Sequence, residues 1–417
     1  MIANTTRRLA VIALVTAALG VSLPAQTSLP AQTSLPAQTL SGSTAASPMP
    51  ADDELTELLD EVWEFELTES PLLATDVGDP RGQDRLADDS PGAIERRDLT
   101  RRQFLERLLA IDATQLSENK RIDHELLRRR LDGQVAGHAF KMHLMPINNR
   151  EGFHISFPEL PRLMNPKTAT DFNNYISRLN DFGRYTDQQI ELLRRGIAED
   201  LTQPGIIMRD SLGQVQAHIV DDPDKSLLMS NLSEQGWDNL DQASRVKLTA
   251  DIHAAITSSV VPAYQRFADF LQQEYLPACR GPIAAAALPD GRKFYRDRVH
   301  RFTTLDLTPE EIHATGVREN ARIREEMESI RQDVGFEGDL PEFLKHLRSD
   351  PKFYAETPEQ LLSQVALILK RADGRLPELF GRLPRIPYGI REVPAYVAPP
   401  VSYTHLRAHE TRSVISY

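Results

Sequence analysis

LTADIHAAITSSVVPAYQRFADFLQQEYL, residues 248–276, carries apolar side chains at Ile252, Ile256, Val260, Tyr264, Phe267 and Leu271. Their spacing of three or four residues lines them along one stripe of a long α-helix. Pro262 falls inside the run. It has no amide hydrogen and its ring crowds the turn before it, so the helix must kink or break there.

The same period recurs on either side. Asp52 to Thr68 carries Leu55, Leu58, Leu59, Val62, Trp63 and Phe65 between acids. Leu99 to Ile111 repeats the pattern with Phe104, Leu105, Leu108 and Leu109, Asp112 to Leu116 interrupts it, and Glu118 to Leu131 begins another helix. Asp171 to Leu179 and Thr186 to Ala198 also read as helices. Two helix starts are written out in full. Thr308-Pro309-Glu310-Glu311 places a hydroxyl at the cap, proline at the first helical position and glutamate at the third. Thr357-Pro358-Glu359-Gln360 repeats this with glutamine. Each threonine oxygen can accept an orphan amide while the third residue returns a bond to the cap. Helices are expected from about Pro309 to Asp333 and Pro358 to Ala372, with a short one at Leu340 to Leu347 between them.

Strands are scarce. Gly152 to Phe157 alternates briefly and reads as an extended piece, and Pro384 to Pro400, with five prolines, reads as extended coil. The fold class is mainly α: a large helical domain with long loops, incomplete at the C-terminus, over residues 52–400.

The N-terminus has the layout of an export signal, residues 1–25. Arg7 and Arg8 precede an uncharged apolar run from Leu9 to Val21, and small residues follow. That run is short of the ~20 residues a membrane span needs. No cysteine lies near the cleavage region, which disfavours a lipid-anchored start. Residues 26–51 continue a threefold SLPAQT repeat into a Ser-, Ala- and Pro-rich stretch, a low-complexity linker. The single cysteine, Cys279, allows no internal disulfide, so stability rests on core size. A net charge of -12 argues against a nucleic-acid partner and suits a periplasmic or secreted protein with no transmembrane span in its mature form.

Candidate chemistry is sparse. Glu310 and His313 share a helix face, as in di-metal bundles, but such bundles need further carboxylates around a paired motif, and a first-turn acid beside a surface histidine is the more ordinary reading. His138 and His143, five apart, fall on different helix faces. His154, His218, His253, His300 and His346 stand alone, as surface or hydrogen-bonded core histidines do. Cys279 precedes Arg280 but has no histidine partner, so a buried structural thiol is expected. Near the end, His405 and His409 are four apart with Glu410 beside them. A metalloprotease helix places its glutamate directly after the first histidine, where this chain has Leu406. Val401 to Thr411 also resembles, residue for residue, one reading frame of a transposase adapter used in sequencing libraries. Residues 401–417 are therefore read as a non-native, adapter-derived tail, with the gene continuing past Pro400. A genuine terminal metal site at His405, His409 and Glu410 is the competing reading.

Several stretches resemble the bacterial domain of unknown function 885 family. The most specific are Leu288 to Gly291, Tyr295, Thr304 to His313, Arg322 to Met327, Leu347 to Phe353, Leu376 to Phe380, Leu383 to Tyr388 and Val393 to Pro399. The resemblance implies an exported or membrane-anchored helical protein related to zinc metallopeptidases. The family's H-E-A-x-P-G-H-H motif lies downstream of the stretch that ends here at Pro399, and no position of this chain matches it. No catalytic, cofactor-binding or metal residue is carried over. The resemblance implies zinc and a peptide substrate for the intact parent, no cofactor in this chain, and no activity for this chain alone. An exported, non-enzymatic helical binding or scaffold protein is the alternative. Oligomeric state is not encoded in these motifs.

Overall fold

The computed structural model describes residues 50–232, 234–383, 385 and 390. The expected signal peptide, nearly all of the linker, most of 384–400 and the tail at 401–417 lie outside them. The described residues fall into two compact units, 50–301 with residue 390, and 302–385.

The larger unit is built from α1 (Pro50–Glu69), α2 (Pro91–Ala110), α3 (Glu118–Ala139), α4 (Ala169–Ala198), a continuous helical run α5 over 242–278, and α6 (Gly291–Thr303) up to residue 301. Among the described residues there is no strand. A single parallel bridge joins Pro204 to Arg280. The α1, α2 and α3 helices close on Leu55, Leu58, Val62, Phe104, Leu108, Leu127 and Leu131. The α4 and α5 helices form a second, larger core around Phe172, Tyr175, Phe182, Tyr264 and Phe267.

The helices obey the sequence locally. Ser90 caps α2 by accepting the Ala93 amide, with Pro91 at the first position. Thr168 and Asp171 form a reciprocal capping box at α4. That helix has 30 residues and bridges the gap left in the periodic reading at 180–185. Asn180 and Gly183 are weak helix formers, but Phe182 is fully buried, and tertiary packing overrides propensity there.

The α5 run does not break at Pro262. A π-helical turn, Ile256–Val260, precedes the proline, and a second, Leu271–Tyr275, precedes Pro277. A π turn bonds five residues back and widens the coil. It therefore accommodates the proline ring that would crowd the carbonyl four residues earlier. All six residues of the opening stripe are buried.

The extended piece expected at Gly152 to Phe157 is instead helical: Phe153–Ser156, then a 3-10 turn Phe157–Glu159, then Leu160–Met164. Phe153, Phe157 and Leu160 are spaced four and three apart, so one short segment satisfied both periods. Burial of all three decided for the helix.

One buried cation organises the segment between α1 and α2. Arg178 of α4 is fully buried and donates to the Pro71, Gly82 and Arg85 carbonyls and to Thr75 Oγ1.

The smaller unit contains α7 (Pro309–Asp333), α8 (Leu340–Ser349) and α9 (Pro358–Asp373). Thr308 and Glu311 make the reciprocal capping box. At α9 Thr357 accepts the Gln360 amide, but the Gln360 side chain returns its bond to the Glu356 amide, one residue before the cap. Arg331 donates to the Phe336 and Gly338 carbonyls and so fixes the turn into α8, where Phe343 is buried against Phe336. No residue of α7 or α9 is buried.

Candidate functional site

One polar cluster of the larger unit is a seam between α1, α2 and α3. Their apolar faces meet at one end, which leaves charged side chains to pair at the other. Glu66 on α1 is buried and accepts from Gln134 Nε2 at 3.1 Å. Arg101 and Arg130 approach the same carboxylate at 3.4 and 3.5 Å. One turn along, Asp98 accepts from Arg102 Nε at 2.6 Å and lies 3.2 Å from His138 Nδ1. His138 Nε2 lies 3.4 Å from Glu95.

His143 joins this group, which corrects the expectation that His138 and His143 face apart. Helix α3 ends at Ala139, and Lys141 turns back with φ 52°. A 3-10 turn, Met142–Leu144, then stacks the His143 ring on His138, with centroids 5.0 Å apart and planes at 17°. The five-residue spacing separates faces only while the helix continues. Burial, then the neighbouring His138, lowers the His143 pKa.

Each ring nitrogen of His138 therefore faces a carboxylate, a group that accepts hydrogen bonds when ionised. No metal site follows from it. Among the described residues no three His, Cys, Asp or Glu side chains could hold a metal ion.

A second polar group sits inside the α4–α5 core. His154 is fully buried, beside Phe153 and Phe267, and His218 lies 5.0 Å from the Tyr264 ring. Burial pushes both imidazoles down to about 4, and the field of His218 adds to the effect on His154. Both are core histidines, neutral at pH 7.

The other candidates are dispersed. Glu310 and His313 are exposed on the first turn of α7. His253 faces Asp224 at 3.0 Å near the surface, and His300 is exposed on α6. His346 stacks on Phe336. Cys279 is half-buried and its thiol is pushed up to about 11 by burial, which outweighs Arg280. Arg280 directs its guanidinium to the Thr202, Pro282 and Ala284 carbonyls instead. His405, His409 and Glu410 lie outside the described residues. The seam residues Glu66, Asp98 and Gln134 were not singled out from sequence. Their one signal was acidic and amide side chains spaced among apolar ones that must pack.

Among the described residues no helix is long and apolar enough to cross a membrane. A family profile described as a bacterial protein of unknown function (DUF885) matches residues 71–413, so the match extends past Pro400. A crystal structure from Colwellia psychrerythraea, described provisionally as a lipoprotein, is similar at TM-score 0.72 and 19% identity. The alignment covers 85% of this chain and 64% of that one. At that identity the likeness establishes the fold. No curated protein matches.

Proposed function

The chain belongs to the bacterial DUF885 family, and from that premise we propose that it is the helical, substrate-walling part of an exported metal-dependent peptidase or hydrolase. The expected location is the periplasm or the medium, which suits a neighbour described as a lipoprotein. The described residues do not fit a catalytic metal. His138 is engaged with Asp98 and Glu95, and among the described residues no group of three His, Cys, Asp or Glu could hold a metal ion. On this reading the metal-holding motif would lie in sequence beyond Pro400, as the resemblance implies.

The observation that carries this reading is the state of α7 and α9. Neither buries a residue, although Leu361, Leu367 and Ile368 of α9 are large and apolar and stand about half exposed. Helices with this pattern become stable by packing against something. Further family sequence, carrying the reacting centre, is the partner that the resemblance supplies.

The test is an assay of peptide hydrolysis with zinc, and with a chelator, on two proteins: the 417-residue chain and the product of a reading frame extended past Pro400. The chain is expected to be inactive, and the extended product active and chelator-sensitive. Chelator-sensitive cleavage by the chain itself overturns the proposal. Inactivity of both favours a non-enzymatic binding protein.

A further inference from the structure

The segment GPIAAAALP, residues 281–289, carries no charge, yet all of it except Ala285 and Leu288 is exposed. Ile283 stands 73% exposed. Apolar residues exposed side by side make this loop a candidate interaction surface.

The loop is also held in shape. At its base Arg280 donates to the Thr202 carbonyl at 2.9 Å, to Pro282 at 2.9 Å and to Ala284 at 3.0 Å. At its far end Leu288 is buried in a small cluster with Ile94, Leu144, Leu192 and Leu201. Gly291 backs onto the 3-10 turn Ala285–Ala287, where a Cβ would come within 2.1 Å of the Ala285 carbonyl oxygen. The apolar protrusion is built in advance of any partner.

Helix α6 follows at once. At ~100° per residue, Arg292, Arg296, His300 and Lys293 share an arc about 100° wide. All four are exposed, and no acid falls within the arc. Among the described residues Arg292 and Arg296 make no ion pair, while Lys293 pairs with Asp290 at 2.9 Å. Tyr295, 43% exposed, stands beside the arc. In a chain of net charge -12, this is a concentrated basic face.

We propose that loop 281–289 and the basic arc of α6 form a docking surface for membranes containing anionic phospholipid. Ile283 enters the interfacial layer, and Arg292, Lys293 and Arg296 lie on headgroup phosphates. Two features select this partner. The charges diverge along a convex helix, so they meet an array of anions and do not converge on one. The adjoining apolar loop needs an apolar medium, which an acidic polypeptide or a nucleic acid does not offer. Asp290 offsets Lys293, which leaves Arg292 and Arg296 as the main attracting charges, and acids further off than the ~8 Å Debye length at physiological salt are largely screened.

The test is co-sedimentation of the full chain with vesicles of phosphatidylcholine alone and of phosphatidylcholine with phosphatidylglycerol. The readout is the excess binding to the anionic vesicles, which removes any charge-independent contribution from the N-terminal apolar run. We expect an excess that disappears in high salt. Replacing both arginines, R292A/R296A, should weaken it about thirty-fold, since each basic residue near an anionic surface is worth about a factor of five. I283D should reduce binding to both vesicle types. All three positions are exposed, and circular dichroism confirms that each variant is folded. No anionic excess, or an excess unchanged in R292A/R296A, overturns the proposal. So does equal binding to soluble polyglutamate, which would make an acidic polypeptide the partner.

Discussion

Replacing Arg178 with methionine tests whether one buried cation holds the α1–α2 connection. Arg178 is fully buried, and burial lowers its pKa to about 10, so it remains charged at neutral pH. Its guanidinium donates to three carbonyls, Pro71, Gly82 and Arg85, and to the Thr75 hydroxyl, at distances from 2.7 to 3.1 Å. Methionine fills similar space but removes this donor, although the Pro71 carbonyl keeps the Thr75 hydroxyl and the Gly82 carbonyl keeps the Arg85 amide. Four hydrogen bonds from a charged donor contribute about 1.5–3 kcal/mol each. Removing the charge returns several kcal/mol of desolvation. The difference is a net loss of about 3 kcal/mol, large against the ~5–15 kcal/mol that folded domains possess. R178K should lie between, because an ammonium cannot match the planar fork. Urea denaturation followed by circular dichroism reads the global change, and amide exchange over residues 71–86 reads the local one. A methionine variant with an unchanged midpoint and unchanged protection over 71–86 would refute the assignment.

The buried histidines make stability acid-sensitive. Their folded pKa lies near 4 against an ordinary 6.5, so the unfolded chain binds more protons between those values. Stability should be full above pH ~6.5 and fall as pH drops toward 4, by roughly 3 kcal/mol for each histidine at most; H154Q and H218Q should each flatten a denaturation series across that window. Gly196 on α4 lies where a Cβ would come within 2.6 Å of the Leu144 carbonyl oxygen and 2.8 Å of that of Leu201. G196A should therefore destabilise by about 1–3 kcal/mol, contrary to the usual gain from alanine in a helix, and a thermal melt decides the sign. Cys279, with its thiol pushed up to about 11, should react slowly with a disulfide reagent at neutral pH and rapidly once the chain is unfolded; equal rates would place it outside the packed structure.

What could be read from the sequence was local. Apolar spacing placed α1, α2, α3, the two halves of α4 and most of α5, and the Thr308–Glu311 capping box marked the start of α7 to the residue, but α6, rich in charge and short of an apolar stripe, was not read. Information carried by the return of the chain could not be read. The His138–His143 stack depends on a reversal at Lys141, and the Glu66 and Asp98 pairings depend on which faces of α1, α2 and α3 meet. The reading of 180–185 as a gap failed because propensity is summed locally, whereas Phe182 is held by partners on α5 and on the 157–159 turn.

Helix α9 shows the opposite case: its pattern was legible, but its burial is not found among the described residues. Leu361, Leu362, Val365 and Leu369 recur at helical spacing, as in α5, where the same spacing ends in complete burial. The two helices differ in what surrounds them and not in what their sequences ask for. A stripe of this kind specifies a partner surface as firmly as it specifies a helix, because packing of the apolar face supplies most of a helix's stability in a protein. Leu361 is exposed and Leu362, Val365 and Leu369 are only half-buried, so a further surface over α9 would complete the stripe. This is why the extended reading frame is the decisive protein to compare, and protection of the α9 amides, absent in the chain and present in the extended product, is the result expected of it.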